Sequence, residues 1–453
     1  MTRLLLAIFI LLASGVTAAL ELTPMQPYQS GPSLRQSLLA SEFRRGYEQE
    51  KGHFLSVPLD YAKPNGPQTH IFVFTLKVFD ASKPSMIYFS GGPGASSHGN
   101  HALSRALPGW NVIFFDQRGT GFSKPASFEI LRDQNYTSSE IVARDANQIR
   151  QFYQIEKVSV YGHSYGTVPA MIFGHLFEKQ TRAVVLEGVV AKGGKELWAS
   201  SFRLQLLQRA WDEFPQELKD KVIEVSKDPD LPRTWFHDVA RGFMYSDKFA
   251  ANMRAFLEQA MGSEEPVTFL RGSSGQSFYY TDSFFFGAFT FSHIACRELG
   301  MTDEGSTWEF LFEEGIFTPA RNHFRTGLCA PLGWTPDLTK TYAAKSYPLK
   351  VPVTYFQGAT DGATVAPGAL EHFNQSAKGS AQLYVADQGG HSPMKQLLTE
   401  SPGAGRLRLA AIQVFESGLR GEMIPKPTWI SLLHKNVELR VWRQYIKIKN
   451  QEF

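Results

Sequence analysis

The segment 162–166, Gly-His-Ser-Tyr-Gly, constrains the fold of this chain more than any other. It follows the apolar run 158–161 and precedes a helical pattern over 165–177, an order that predicts a strand, a sharp turn and a helix. Gly162 and Gly166 leave room for a strained turn, so Ser164 is expected at its apex, above the edge of a sheet. The alternative is an ordinary glycine-rich turn.

Short apolar runs alternate with helical patterns along much of the chain. This alternation predicts an α/β fold with a mostly parallel sheet and helices on both faces. A helix is predicted over Ser139–Tyr153, capped by Ser138 or Ser139, with Phe152 on its apolar face. The predicted strands are 54–59, 71–79, 86–89, 112–115, 158–161, 183–186, 351–356 and 381–385.

The two ends of the chain differ from the middle. Residues 1–18 combine Arg3, an apolar run over 4–13 and a small-residue site before residue 19. This pattern predicts a cleaved secretory signal peptide, and hence a periplasmic or secreted protein. The alternative is an uncleaved anchor. Residues 19–50 are interpreted as an N-terminal arm. Residues 425–453 form a basic C-terminal extension, interpreted as a solvated edge or, alternatively, a contact with an anionic membrane or another chain.

The predicted core is interrupted once. Residues 51–190 and 346–424 carry the strand patterns, whereas 191–345 are helical in pattern and rich in aromatic residues. An insertion beyond the carboxyl end of a strand lies where it can cover a site. Segment 191–345 is therefore interpreted as a cap; the alternative is a separate domain with its own role.

Charge and cysteine content narrow the classes of function. The 453 residues carry a net charge of only +3, which argues against a nucleic-acid partner. Cys296 and Cys329 are the two cysteines, and in an oxidising compartment they predict one disulfide; the alternative is two buried thiols. Two thiols cannot by themselves form a structural zinc site, and no metal or other cofactor is predicted.

Two loops provide partners for Ser164. A serine needs a base to become a nucleophile, and the base needs an orienting acid. Asp361 follows the run 351–356, and His391 follows the run 381–385 after two glycines. Serine, acid and histidine in this order, each after a strand, is the arrangement of α/β-hydrolases. The predicted catalytic residues are Ser164, Asp361 and His391.

An oxyanion site is predicted beside them. Backbone N–H groups stabilise the negative oxygen that forms during acyl transfer. The loop 90–94, Ser-Gly-Gly-Pro-Gly, follows a predicted strand, and the N–H groups of Gly92 and Tyr165 are the predicted donors. The alternative for this loop is a plain tight turn.

Four motifs together indicate a family: GGPG at 91–94, DQRGTGFS at 116–123, GHSYG at 162–166, and the late Asp361 with GGH at 389–391. This set resembles the proline iminopeptidase and tripeptidyl aminopeptidase group of α/β-hydrolases, over about 54–396. The resemblance implies an α/β-hydrolase fold with an inserted helical cap and an exopeptidase acting on peptides with a free amino terminus. Ser90 departs from the histidine usual there, and segment 116–118 is implied to be structural support.

Such an exopeptidase needs anionic groups that hold the substrate ammonium. Glu187 and Glu298 are the predicted candidates; the alternative for each is an ion pair with an arginine. The run 284–286 either lines an apolar pocket or belongs to the core, and His98 and His101 are interpreted as loop residues rather than metal ligands.

The sequence thus predicts an exported serine hydrolase, an aminopeptidase of prolyl or tripeptidyl type, that needs no cofactor. A carboxylesterase or lipase with the same triad is the alternative enzyme. A non-catalytic binding protein on the same fold is disfavoured because no member of the triad is missing. The preferred amino-terminal residue, the release of one residue or three, and the oligomeric state are not encoded in these motifs.

Overall fold

One large sheet organises the molecule. The computed structural model describes residues 52–98, 100–125, 130, 133, 136–194, 197, 200–231, 240, 243–274, 282–301, 341–399, 405–424 and 442–447. In this part of the chain the strands form a single sheet in the order β1-β2-β4-β3-β5-β6-β7-β8-β9. Their bounds are β1 Gly52–Pro58, β2 Gln68–Thr75, β3 Ser85–Phe89, β4 Asn111–Phe115, β5 Val158–His163, β6 Thr181–Glu187, β7 Val353–Gly358, β8 Ala381–Ala386 and β9 Trp442–Lys447.

The centre of this sheet is parallel, from β4 through β3, β5, β6 and β7 to β8. β1 and β2 at one edge and β9 at the other are antiparallel additions. Strands β3, β4, β7 and β8 are buried along their whole length, which explains their continuous apolar sequences. Parallel strands end at the same edge, so the loops after β3, β5, β6, β7 and β8 meet there.

Helices cover both faces of the sheet. They are α1 His101–Ala106, α2 Ser139–Phe152, α3 Thr167–Leu176, α4 Ser201–Asp212, α5 Gln216–Val225, α6 Phe249–Met261, α7 Pro266–Ser274, α8 Asp282–Arg297, α9 Ala366–Ser376, α10 Pro393–Thr399 and α11 Gly405–Arg420. Apolar residues of α2, α3 and α9 pack on one face. Those of α1, α10 and α11 pack on the other, giving three layers. Helices α4 to α7 share a separate apolar cluster in the inserted region.

The predicted α/β fold with a mostly parallel sheet is confirmed. The Ser138 hydroxyl accepts a hydrogen bond from the Ile141 N–H at 3.1 Å, so Ser138 caps α2. Phe152 differs from its prediction: 51 % of it is exposed, because it ends the helix at the edge of the sheet, where its ring packs against His53 of the edge strand β1. Part of the basic extension forms edge strand β9 against β8.

Several predicted features lie outside the described residues: the signal peptide and the N-terminal arm, the remainder of the C-terminal extension, and Cys329. The side chains of Phe284, Phe285 and Phe286 are also outside them. Cys296 is buried, and its pairing with Cys329 stays a prediction. Within the described ranges no helix combines the length and hydrophobicity needed to cross a bilayer.

Candidate active site

Ser164 occupies a strained turn directly after β5. Its φ of +57° lies in the left-handed region that non-glycine residues rarely adopt. A methyl group added at Gly166 would collide with the carbonyl oxygen of Phe89, and one added at Gly162 would collide with the carbonyl of Gly166. The hydroxyl of Thr167 donates to the Ser164 carbonyl at 2.7 Å and so holds the turn. The predicted strand–turn–helix is therefore present, with Ser164 at its apex.

The loops after β7 and β8 bring Asp361 and His391 together. Nδ1 of His391 lies 2.9 Å from Oδ2 of Asp361, and both side chains are buried. Thr364 supports the pair: its hydroxyl donates to Oδ2 of Asp361 at 2.8 Å, and its N–H donates to Oδ1 at 3.0 Å. Nε2 of Gln357 also donates to Oδ2, at 3.0 Å. The acid is held from several directions.

Asp361 stays ionised in this environment. Burial by itself would raise the pKa of Asp361, but His391 and the hydrogen bonds from Thr364 outweigh it, so the pKa lies below its ordinary value. An ionised carboxylate can only accept hydrogen bonds, so Nδ1 of His391 carries the hydrogen. Nε2 is then the basic nitrogen of the ring.

Nε2 of His391 is buried and, among the described residues, has no hydrogen-bond partner. The structure shows no hydrogen bond between this nitrogen and Ser164. The two residues nevertheless lie at the same edge of the sheet. The ring of His163, the residue before Ser164, has its centroid 5.1 Å from that of the His391 ring. Bonds between a nucleophile and its base are often long until substrate is bound.

The loop after β3 lies against the nucleophile. A methyl group added at Gly91 would come 2.8 Å from Cβ of Ser164, so only glycine permits this approach. Gly92 has a φ of +111°, and within the described part of the chain its N–H meets no acceptor. Nε2 of Gln117 donates to the Ser90 carbonyl at 2.9 Å and fixes the loop. The Gly92 N–H is thus available to an incoming oxygen.

The 116–118 segment supports the fold. The buried guanidinium of Arg118 makes two 2.7 Å bonds to Asp145 of α2 and bonds the carbonyl of Pro58 at 2.6 Å. The buried carboxylate of Asp116 accepts from Nε2 of His98 at 2.8 Å. His98 is therefore a loop residue in contact with this segment, and within the described ranges no three His, Cys, Asp or Glu side chains group to hold a metal.

The inserted region contacts both loops of the Asp361–His391 pair. The buried guanidinium of Arg203, in α4, donates to the carbonyls of Gly362 and Ala363, the latter at 2.8 Å. The Tyr245 carbonyl accepts from the His391 N–H at 3.0 Å, and the Tyr245 ring lies edge-on to His391 with centroids 5.1 Å apart. The inserted region therefore helps to hold the loops of Asp361 and His391.

Glu187 is the last residue of β6, at the predicted strand end. It is fully buried, and its carboxylate accepts from the Tyr161 hydroxyl at 2.5 Å and from the N–H groups of Met394 and Lys395 at 2.7 and 3.0 Å. None of these partners is the arginine of the alternative interpretation. Both oxygens of Glu187 are therefore engaged within the protein, at the start of α10.

Glu298 is also engaged within the protein. Its carboxylate accepts from the hydroxyl of Ser139 at 2.6 Å and from the Ser139 N–H at 3.0 Å, at the first residue of α2. The Ser139 hydroxyl in turn lies 3.0 Å from the hydroxyl of Tyr165. Glu298 is therefore bonded to a helix end whose hydroxyl also contacts the side chain of Tyr165, next to Ser164, and its contact with a substrate amine stays a prediction.

Four supporting residues were missed from the sequence: Arg203, Tyr245, Gln357 and Thr364. Thr364 and Gln357 lie three and four residues from Asp361, and a threonine three residues after an aspartate commonly bonds to it. Arg203 and Tyr245 act across long sequence separations and leave no local signal.

The comparison with known proteins agrees with this geometry. A family model described as alpha/beta hydrolase fold matches residues 84–396, and the chain belongs to that family. Among curated relatives, a proline iminopeptidase of Aeromonas sobria is 34 % identical over 162 residues, which cover 32 % of this chain and 38 % of the relative. A tripeptidyl aminopeptidase of Streptomyces lividans is 23 % identical over 194 residues, which cover 32 % and 36 %.

The predicted resemblance to this peptidase group is thereby confirmed, although the chain aligns with well under half of either relative's length. A solved structure of a proline iminopeptidase from Mycobacterium smegmatis aligns with 81 % of this chain and 98 % of its own, with 13 % identity and a TM-score of 0.43.

Proposed function

We propose that this protein is a serine hydrolase in which Ser164 is the nucleophile, His391 the general base and Asp361 the orienting acid. The observation that supports this most directly is the 2.9 Å contact between Asp361 and Nδ1 of His391, which leaves the buried Nε2 as a base. The strained turn that presents Ser164 at the same edge is the second support.

The reaction follows from these positions. Nε2 of His391 takes the hydroxyl proton of Ser164 while Oγ bonds to the substrate's carbonyl carbon. The N–H groups of Gly92 and Tyr165 stabilise the resulting oxyanion. The imidazolium then gives its proton to the leaving nitrogen as the C–N bond breaks, leaving an ester on Ser164. Water gives a proton to His391 and adds to this ester, and Oγ departs with that proton as the acid is released.

We further propose that the substrate is a peptide with a free amino terminus and that residues are released from that end. The likeness to a proline iminopeptidase and to a tripeptidyl aminopeptidase supports this step. Glu187 and Glu298 no longer support it, because both carboxylates are engaged within the protein. Action outside the cytoplasm is part of the proposal and rests on the predicted signal peptide over 1–18.

A matched substrate panel tests the specificity. Prolyl, alanyl and tripeptidyl arylamides are compared as free amines and as their N-acetyl derivatives, together with a short acyl ester. We expect the free amines to be cleaved and the acetylated ones not. Equal cleavage of both forms would contradict recognition of the amino terminus. Turnover of the ester alone would instead identify a carboxylesterase.

Replacement of the nucleophile tests the chemistry. We expect Ser164→Ala to lose turnover and labelling by a fluorophosphonate while its thermal unfolding stays cooperative, since the substitution removes only the hydroxyl. Retained turnover in this variant would refute the assignment of Ser164.

A further inference from the structure

Two neighbouring strand ends reach into the segment that follows His391. His163 and Glu187 are paired in register at the carboxyl ends of β5 and β6. Nε2 of His163 lies 2.6 Å from the hydroxyl of Ser392, and Glu187 accepts from the N–H groups of Met394 and Lys395. Residues 392 to 395 are thus fixed from two adjacent strands.

The Glu187 carboxylate is buried and held by several hydrogen bonds. The side chain is fully buried, and the Tyr161 hydroxyl completes its hydrogen bonding at 2.5 Å. A buried carboxylate is costly unless its oxygens are satisfied, and here two of the donors are backbone groups at the start of α10. Moving that helix start would remove both backbone donors and leave the buried carboxylate with the Tyr161 hydroxyl alone, so the position of the 392–395 segment is strongly restrained.

The other side of His391 is fixed separately. The Gly389 carbonyl accepts from the N–H and the hydroxyl of Thr360, at 3.1 and 2.9 Å, and the His391 N–H donates to Tyr245. With both flanks held, the imidazole can only turn about its own side-chain bonds. The hydrogen bond from Nδ1 to Asp361 restrains that rotation.

We propose that His163 and Glu187 are positioning residues that hold His391 in line with Ser164. The inference rests on the proposed function, since it assumes that His391 is the base. His163 immediately precedes Ser164, so its bond to Ser392 ties the nucleophile turn to the base loop through a single side chain.

The charge state of His163 is consistent with a positioning role. Burial, with smaller contributions from Lys395 and His391, holds the pKa of His163 well below its ordinary value, so the ring is neutral. A neutral ring 5.1 Å from His391 does not oppose the imidazolium that forms when Ser164 loses its proton.

The test removes one tie at a time. Ser392→Ala deletes the hydroxyl that His163 contacts, and Ser392→Thr restores a hydroxyl. Ser159→Ala is the matched control, because Ser159 is a buried serine of β5 whose hydroxyl bonds the Leu419 carbonyl at 2.5 Å, far from the His391 loop. Glu187→Met removes the second tie, because it deletes Oε1, the oxygen to which both N–H groups donate; an amide at this position would keep that acceptor.

We expect kcat to fall roughly tenfold to a hundredfold in Ser392→Ala and Glu187→Met, because small misplacements of a reacting group have effects of that size. KM should change by less than about twofold, and Ser392→Thr should recover most of the rate. Ser159→Ala should lower the melting temperature about as much as Ser392→Ala does, with kcat unchanged. A general loss of stability would affect kcat in the same way in both serine variants, so a difference in kcat between them indicates positioning.

His391→Ala separates the two levels of the argument. If His391→Ala is inactive but Ser392→Ala and Glu187→Met retain the wild-type kcat, the positioning role is overturned and the proposed function stands. If His391→Ala keeps its turnover, the proposed function itself fails. If Glu187→Met instead raises KM for free-amine substrates alone, Glu187 binds the substrate and the positioning role is overturned.

Discussion

Replacing Asp361 with asparagine tests the assigned roles of acid and base most directly. The donors around this carboxylate are divided between its oxygens. Oδ1 accepts from the N–H groups of Ala363 and Thr364, at 2.8 and 3.0 Å. Oδ2 accepts from Gln357, the Thr364 hydroxyl and Nδ1 of His391, at 3.0, 2.8 and 2.9 Å. An asparagine keeps the shape of the group but only one acceptor oxygen.

The backbone donors decide how the amide sits. Leaving either N–H without an acceptor costs about 1–3 kcal/mol, so the asparagine oxygen stays where Oδ1 was. The NH₂ group then faces His391 and donates to Nδ1, which moves the ring hydrogen to Nε2 and blocks proton transfer from Ser164. We expect kcat to fall about 10⁴-fold, or about 5 kcal/mol in activation free energy. The lost bond from Gln357 should cost only about 1 kcal/mol of unfolding free energy.

The assay combines steady-state hydrolysis of the best arylamide substrate with denaturant unfolding. Asp387→Asn is the control, since Asp387 lies in the same loop as His391 but bonds the exposed Arg443 at 2.7 Å. An exposed pair of this kind contributes less than about 1 kcal/mol, and kcat should not change. A kcat for Asp361→Asn within about tenfold of wild type would refute the inferred tautomer, and with it the role of the acid.

Three further predictions follow from contacts already described. Gly166→Ala should lower the unfolding free energy by more than about 2 kcal/mol, because its methyl group meets the last carbonyl of β3. Gly109 has open space around it, so Gly109→Ala should change the unfolding free energy by less than about 0.5 kcal/mol in the same denaturant titration. Arg203→Met should lower kcat roughly tenfold, because it releases the loop that carries Asp361. Arg209 is exposed in the same helix, and Arg209→Met should leave kcat unchanged. Equal kcat values for the two variants would contradict a role of Arg203 in holding that loop. The pKa of Asp361 is lowered on folding, so its ionisation stabilises the fold above about pH 4 and this stabilisation is lost as the pH falls through the lowered pKa. The difference in unfolding free energy between wild type and Asp361→Asn should therefore narrow steadily as the pH falls below about 4, and a constant difference would argue against it.

The sheet and the order of the candidate residues were readable from the sequence for a physical reason. Parallel strands covered on both faces are continuously apolar, so β3, β5, β7 and β8 stood out as short runs. Ser164, Asp361 and His391 each lie in the loop or turn that follows such a run. A residue at a strand's carboxyl end can be placed at an edge of the sheet without knowledge of its neighbours.

For the same reason, the sequence could not predict on which face of the sheet the Glu187 side chain lies. In β6 the buried residues alternate between faces: Val184 and Leu186 pack with one cluster and Val185 with the other. An apolar run without polar alternation does not reveal which face a given residue takes, and Glu187 shares the face of Val185. The partner of Glu298, at Ser139, is 159 residues away in sequence, so no local pattern could have indicated it.

Arg203 and Tyr245 bear on how this scaffold can be re-engineered. One such change is to exchange the inserted segment for another. Here the inserted segment supplies a guanidinium and a carbonyl that fasten the loops of Asp361 and His391. Under the proposed function, we expect a chimera that discards residues 203 and 243–247 to lose activity together with its old selectivity, and a graft that retains them to keep both loops in place.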